Sequence, residues 1–214
     1  MPGKMSSYLQ NAMLQHILGQ ATYTFPATNN LYVGLCTAFD EAQDGNSFTE
    51  VSTAEYARQP VAFAAPVAQT VSNTGKLAYA KAVTTWGTPT YWIVCDALTG
   101  GNVLFWGAVT SPLSINANEQ LEIGVSQLTI TLSGAATPTL ANEIFNSVLR
   151  GQSWTTTAPT HTALLSAFTS ESTWTETADT AYGRQAVTWT TATGGASSNA
   201  AQVQYPAVRT LLFL

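Results

Sequence analysis

Apolar positions near the start of the chain recur with a helical spacing. Leu9, Ala12, Met13, His16 and Ile17 fall at i, i+3, i+4, i+7 and i+8, the stripe that a short helix turns toward a core. Gly19 follows where a left-handed C-terminal cap is needed. The stripe returns at an offset of 132 (151 − 19) as Ala141, Ile144, Phe145, Val148 and Leu149, with Gly151 in the place of Gly19. After each helix the pattern changes to short runs bounded by turn formers. These are Leu31-Tyr-Val-Gly-Leu-Cys and Ala163-Leu-Leu-Ser-Ala-Phe, then Tyr56 to Phe63 and Tyr182 to Trp189, and they predict strands. The first stretch continues through Tyr91 to Asp96, a Thr99-Gly-Gly-Asn102 turn and Val103 to Ala108. The alternations Leu121, Ile123, Val125 and Leu128, Ile130, Leu132 follow. Together they predict a hairpin and two further strands.

The chain therefore reads as an internal repeat. Tyr56-Ala-Arg58-Gln matches Tyr182-Gly-Arg184-Gln at an offset of 126 (182 − 56), which implies a six-residue deletion after the helix. The acidic, glycine-containing stretch Asp40 to Glu50 reads as a surface loop and is the place where such a length change is tolerated. The expected architecture is mostly β, a sandwich-like or partly rolled sheet with one short amphipathic helix heading each of two tandem units. Residues 1–135 form the complete unit and 136–214 a truncated second copy, since Leu214 aligns with Thr88 (214 − 126). A part-sheet exposes an apolar face and an unpaired edge, both costly unless covered. The second copy is expected to pack against the first or to be completed by another subunit. Val208, Leu211, Leu212, Phe213 and Leu214 are the candidate interface, together with Arg58 and Arg184.

The runs Leu31-Tyr-Val-Gly-Leu-Cys-Thr-Ala, Tyr56-Ala-Arg-Gln, Trp86-Gly-Thr, Tyr91 to Gly107 and Leu128-Thr-Ile-Thr-Leu resemble a family of small phage virion proteins usually labelled tail-fibre-like. The likeness spans residues 5 to 133. It implies a structural virion component without catalysis.

Composition narrows the partners. Charged residues make up 9% of the chain and the net charge is −5, so little of the surface is expensive to desolvate and an assembled protein is the expected context. The seven Lys and Arg form no basic stripe, which argues against nucleic acid. The opening Met-Pro-Gly-Lys-Met-Ser-Ser has no apolar signal core, and no segment approaches a membrane span.

Candidate chemistry is sparse. His16 lies on the helix stripe opposite Val148 in the repeat and reads as a core or interface residue; His161, set against Asn29, reads as a polar loop residue. Gly151-Gln-Ser153-Trp-Thr155 lacks the second glycine and the preceding strand of a nucleophile elbow. Asp40, Asp44, Gly45 and Glu50 miss the spacings of a calcium loop. Cys36, set against Phe168, reads as an apolar filler, and Cys36 and Cys95 are expected as free thiols. The tryptophans fit either a core or a sugar-stacking platform. Arg58 and Arg184 recur in both copies where most other charges change, which fits a buried hydrogen-bonding fork or a subunit contact.

No catalytic, cofactor-binding or metal site is expected. The expected role is a head decoration or cement protein on the outer surface of the phage head, a homo-oligomer bound to the major capsid protein and bridging capsomers. The alternative is a tail-fibre or baseplate-associated host-recognition protein. A small cell-wall hydrolase is a third reading, weakened by the missing acid–base pair.

Overall fold

The computed structural model describes residues 3–27, 30–132, 137–154, 161–162, 165–170, 173–176, 184–201 and 203. The strands are β1 (Lys4–Met5), β2 (Tyr32–Phe39), β3 (Phe48–Glu50), β4 (Gln59–Pro60), β5 (Thr70–Ser72), β6 (Leu77–Ala78), β7 (Tyr91–Cys95), β8 (Val103–Ala108), β9 (Glu122–Ile123), β10 (Thr129–Thr131), β11 (His161–Thr162), β12 (Leu165–Ser170), β13 (Thr173–Glu176) and β14 (Gln185–Ala186). Two helices, α1 (Ser7–Ile17) and α2 (Pro138–Arg150), stand at the predicted positions. The protein is mostly β, with open antiparallel sheets.

Contacts divide the chain into two units, Met1–Gln10 with Thr24–Trp154, and Asn11–Tyr23 with Thr155–Leu214. This division does not follow the repeat. The helix that heads the second copy, α2, belongs to unit 1, whereas the second half of α1 belongs to unit 2.

In unit 1 the main sheet runs β1-β8-β7-β2-β3, and β4 also pairs with β2. Its interior strands carry Val33, Leu35, Ile93, Val94, Leu104 and Phe105, all buried. The predicted hairpin is present: β7 and β8 are joined through Gly100 and Gly101, both at positive φ. Asp96 closes the turn by accepting from the Asn102 backbone N–H and side-chain amide at 2.6 and 2.8 Å. Helix α2 starts on Thr137, whose hydroxyl accepts from Leu140 N, has Pro138 in its first turn, and stops at Gly151 with φ 61°. Its buried face, Ala141, Ile144, Phe145, Val148 and Leu149, is the predicted stripe, and Phe145 meets Phe105 with ring centroids 5.9 Å apart.

The alternation across 121–125 is interrupted. Val125 is 58% exposed, because Ser126 takes φ 61° and Gln127 N donates to Gly124 O, turning the chain between β9 and β10. Strand β10 then pairs with β5, and β9 with β6. Of the stretch Tyr56 to Phe63, Gln59–Pro60 is strand and Phe63 forms a bridge to Asn73.

Pairing registers re-draw the repeat alignment between the helix and Tyr56. In the first copy Tyr32, Val33, Cys36, Ala38 and Phe39 face Pro60, Gln59, Glu50, Thr49 and Phe48. In the second, His161, Thr162, Leu165, Ala167 and Phe168 face Ala186, Gln185, Glu176, Thr175 and Trp174. The first strands therefore align at an offset of 129 (161 − 32), and the partners at 126 (186 − 60). Cys36 corresponds to Leu165, not Phe168, and His161 corresponds to Tyr32 and lies in a strand, not a loop. Three residues are lost before β2 and three after it. Periodicity could not locate the gap because any apolar strand residue fits an apolar slot, while a ladder of hydrogen bonds admits one register.

Candidate functional site

Arg58 organises the most elaborate polar site in unit 1. Its Nε and Nη2 donate to the two carboxylate oxygens of Glu50 at 2.9 and 2.8 Å, and Nη1 donates to Ala97 O and Gly100 O at 2.9 and 2.7 Å. Tyr56 donates to Glu50 Oε1 at 2.9 Å while its oxygen accepts from Leu35 N at 2.7 Å. The guanidinium is thus a fork that ties β3 to the β7–β8 turn. The Arg58 side chain is 7% exposed and Glu50 19%, so the pair is largely withdrawn from water and held by several further hydrogen bonds, the condition under which a buried ion pair is tolerable. Glycine at position 34 is required by this clamp, because a Cβ there would stand 2.6 Å from Glu50 Oε1.

Arg58 stands out in the sequence by its recurrence, whereas Glu50 falls in the stretch whose composition predicts a surface loop. Instead the loop proper is a short turn, Glu41–Gln43, capped by Asp40, and Phe48–Glu50 is strand. The signal that identifies Glu50 is its own recurrence: Glu176 stands eight residues before Arg184, as Glu50 does before Arg58. That second pair is bonded too, Arg184 Nε to Glu176 Oε1 at 2.5 Å, but the Arg184 side chain is 52% exposed. One pair is buried and one is wet. The other candidate interface residues, Val208, Leu211, Leu212, Phe213 and Leu214, lie outside the described residues.

A groove of about 780 Å³ opens elsewhere on unit 1, with Leu35, Trp92, Ile115, Leu121 and Leu128 in its wall beside Gln127, Thr129 and Thr131. No charged side chain lines it. Such a surface can hold an uncharged group but offers no proton donor or acceptor of catalytic strength. Trp86, Trp92 and Trp106 are 4%, 7% and 2% exposed, so their faces are filled by packing and unavailable for sugar stacking.

Glu55 accepts from the Trp86 indole N–H at 2.8 Å and from Val83 N and Thr84 N. The indole bond, with the two backbone N–H groups, holds its carboxyl down at about 2. A carboxyl depressed in the folded state stabilises in full above its unfolded pKa, about 4.3, and that contribution is lost as pH falls through the folded value. The stability difference between wild type and Glu55→Gln is therefore expected to shrink between about pH 5 and about pH 2, as read by urea unfolding at each pH.

His16 is buried and its Nδ1 accepts from Tyr23 N at 3.3 Å. Cys36 and Cys95 are free and fully buried. On the β2–β7 ladder Cys36 faces Tyr91 and Cys95 faces Tyr32, roughly 13 Å apart along the strands at 3.3 Å per residue, too far for a disulfide. Burial pushes both thiols up, Cys95 to about 12. At pH 8 a thiol-specific disulfide reagent is expected to leave the native protein unlabelled and to label both cysteines at once after urea unfolding. Among the described residues no three His, Cys, Asp or Glu side chains gather as a metal-binding group, and no helix is long and apolar enough to cross a membrane.

No curated protein matches the chain. A family model described as podophage GP4 fiber I protein gp80 matches it twice, over residues 4–131 and 135–211. With nearly its whole length matched by that model, and with the same strand pairings laid down in both copies, the chain belongs to this tail-fibre-like phage family.

Proposed function

We propose that this protein is a non-catalytic component of the phage tail-fibre apparatus, and that it acts through its surfaces. The observation that carries the reading is the double match to the fibre family. The chemistry of the described residues supports it: the polar constellation around Arg58 is a clamp whose donors and acceptors are bonded to each other, and the groove lined by Leu35, Trp92 and Leu128 carries no charged side chain. A charge-poor exterior suits a subunit packed among neighbours. Such an exterior suits capsid decoration and fibre assembly equally, and the family description tips the balance to the fibre.

Copy number and position decide the matter. Quantitative mass spectrometry of purified particles is expected to give between a handful and a few tens of copies per virion, and immunogold labelling is expected to mark the tail. Hundreds of copies with label over the head would replace this reading by capsid decoration. Absence from the particle would remove both.

A further inference from the structure

The two copies share a tight polar turn whose outer edge, among the described residues, is covered in unit 1 and open in unit 2. In unit 1, Ala64 N donates to Ser72 O, Thr74 N to Ala62 O, Val67 and Thr70 exchange backbone bonds, and the Asn73 amide donates to Gly75 O. At an offset of 126 (199 − 73), Thr190 N donates to Ser198 O, Ala200 N to Thr188 O, Thr193 and Ala196 exchange bonds, and the Asn199 amide donates to Ala201 O. Phe63 bridges Asn73 as Trp189 bridges Asn199. The inner ladder is reproduced bond for bond.

The outer edge is not. In unit 1 it carries β10, with Thr70, Val71 and Ser72 facing Thr131, Ile130 and Thr129. Asn73 N donates to Leu128 O, its side-chain oxygen accepts from Leu128 N at 2.9 Å, and its amide reaches Gly124 O at 2.9 Å. Asn73 is consequently 1% exposed. In unit 2, Ala196, Ser198, Asn199 and Ala200 are exposed. Asn11 takes the Gly195 N–H at one end, which leaves Ala196 to Asn199 as a short edge with an asparagine set to clamp whatever lies along it.

We infer that this edge accepts a strand from another polypeptide, with the chemistry of residues 124–132, Gly-Val-Ser-Gln-Leu-Thr-Ile-Thr-Leu. The first copy supplies the template: an antiparallel strand alternating threonine with aliphatic residues, whose leucine backbone is gripped by the asparagine side chain. This is strand addition, in which main-chain bonds give affinity and alternate side chains give specificity. A second copy of this chain is a poor donor, since its own β10 already lies on β5, and lending it would open one edge to close another. The inference stands whichever part of the particle the protein occupies.

The test uses the full chain and a synthetic peptide of residues 122–133, with isothermal calorimetry for binding and hydrogen exchange for location. Saturable one-to-one binding is expected, with slowed exchange over 196–199. Bonds to the edge fall on alternate residues, as at Asn73 and Gln69, so the Val71–Ile130 pair exchanges them as well. A peptide N-methylated at Ile130 is expected to bind about ten-fold more weakly, and so is the normal peptide to Asn199→Ala, whose fold is checked by an unchanged circular dichroism spectrum; ten-fold corresponds to about 1.4 kcal/mol. Absent binding, binding indifferent to both changes, or protection confined to 70–73 would overturn the inference. So would concentration-dependent dimerisation that protects 196–199 without peptide, because the occupant would then be a second copy.

Discussion

Arg58→Ala is expected to cost about 3 kcal/mol of folding stability, because removing one partner of a buried ion pair leaves the other charged and uncompensated in a site with little access to water. Glu50 would keep only the Tyr56 hydroxyl, and the carbonyls of Ala97 and Gly100 would lose their donor. Lysine cannot restore the fork: it offers a point charge where two parallel bonds to a carboxylate are needed, so Arg58→Lys is expected to fall between wild type and alanine. Arg184→Ala, with its side chain half exposed, is expected to cost no more than about 1 kcal/mol. Urea unfolding followed by tryptophan fluorescence measures all three. Equal losses at 58 and 184 would mean that burial is not what separates the two pairs. An Arg58→Ala protein of normal stability that fails to join the particle would make Arg58 a subunit contact.

Phe145→Ala is expected to cost about 3–5 kcal/mol, the usual range for emptying a fully buried aromatic site. Its more telling consequence is where the damage falls. Phe145 heads the second copy in sequence, but its ring packs on Phe105 of β8 in unit 1. Hydrogen exchange is therefore expected to accelerate across Val103–Ala108 while the turn at 188–200 keeps its protection, since local opening follows the contacts that are lost. Acceleration confined to 188–200 would contradict the assignment of α2 to unit 1.

Much of the fold was legible beforehand where a pattern is local. The stripes of both helices, the glycines at 19 and 151 and the Gly100–Gly101 hairpin are properties of a few consecutive residues, and each appears where the spacing puts it. The site was only half legible. Arg58 showed itself by recurring, but Glu50 was hidden by an alignment that placed the whole length change inside Asp40 to Glu50. Val125 misled in the opposite sense: alternation predicts an inward residue, and a turn at Ser126 overrides it.

By itself the chain's sequence determined the helices, the hairpin, the repeat and the poverty of charge, because these depend on neighbours in the chain or on composition alone. Tertiary structure decided the register of β2 and β12 on their partners, the union of Glu50 with Arg58, and the packing of α2 within unit 1. It also decided that two nearly identical turns differ in what lies along their outer edge. The physical reason is shared by all four. An apolar or polar side chain declares which face it occupies, but the choice among faces, registers and partners is made by long-range hydrogen bonds and packing that no local spacing encodes.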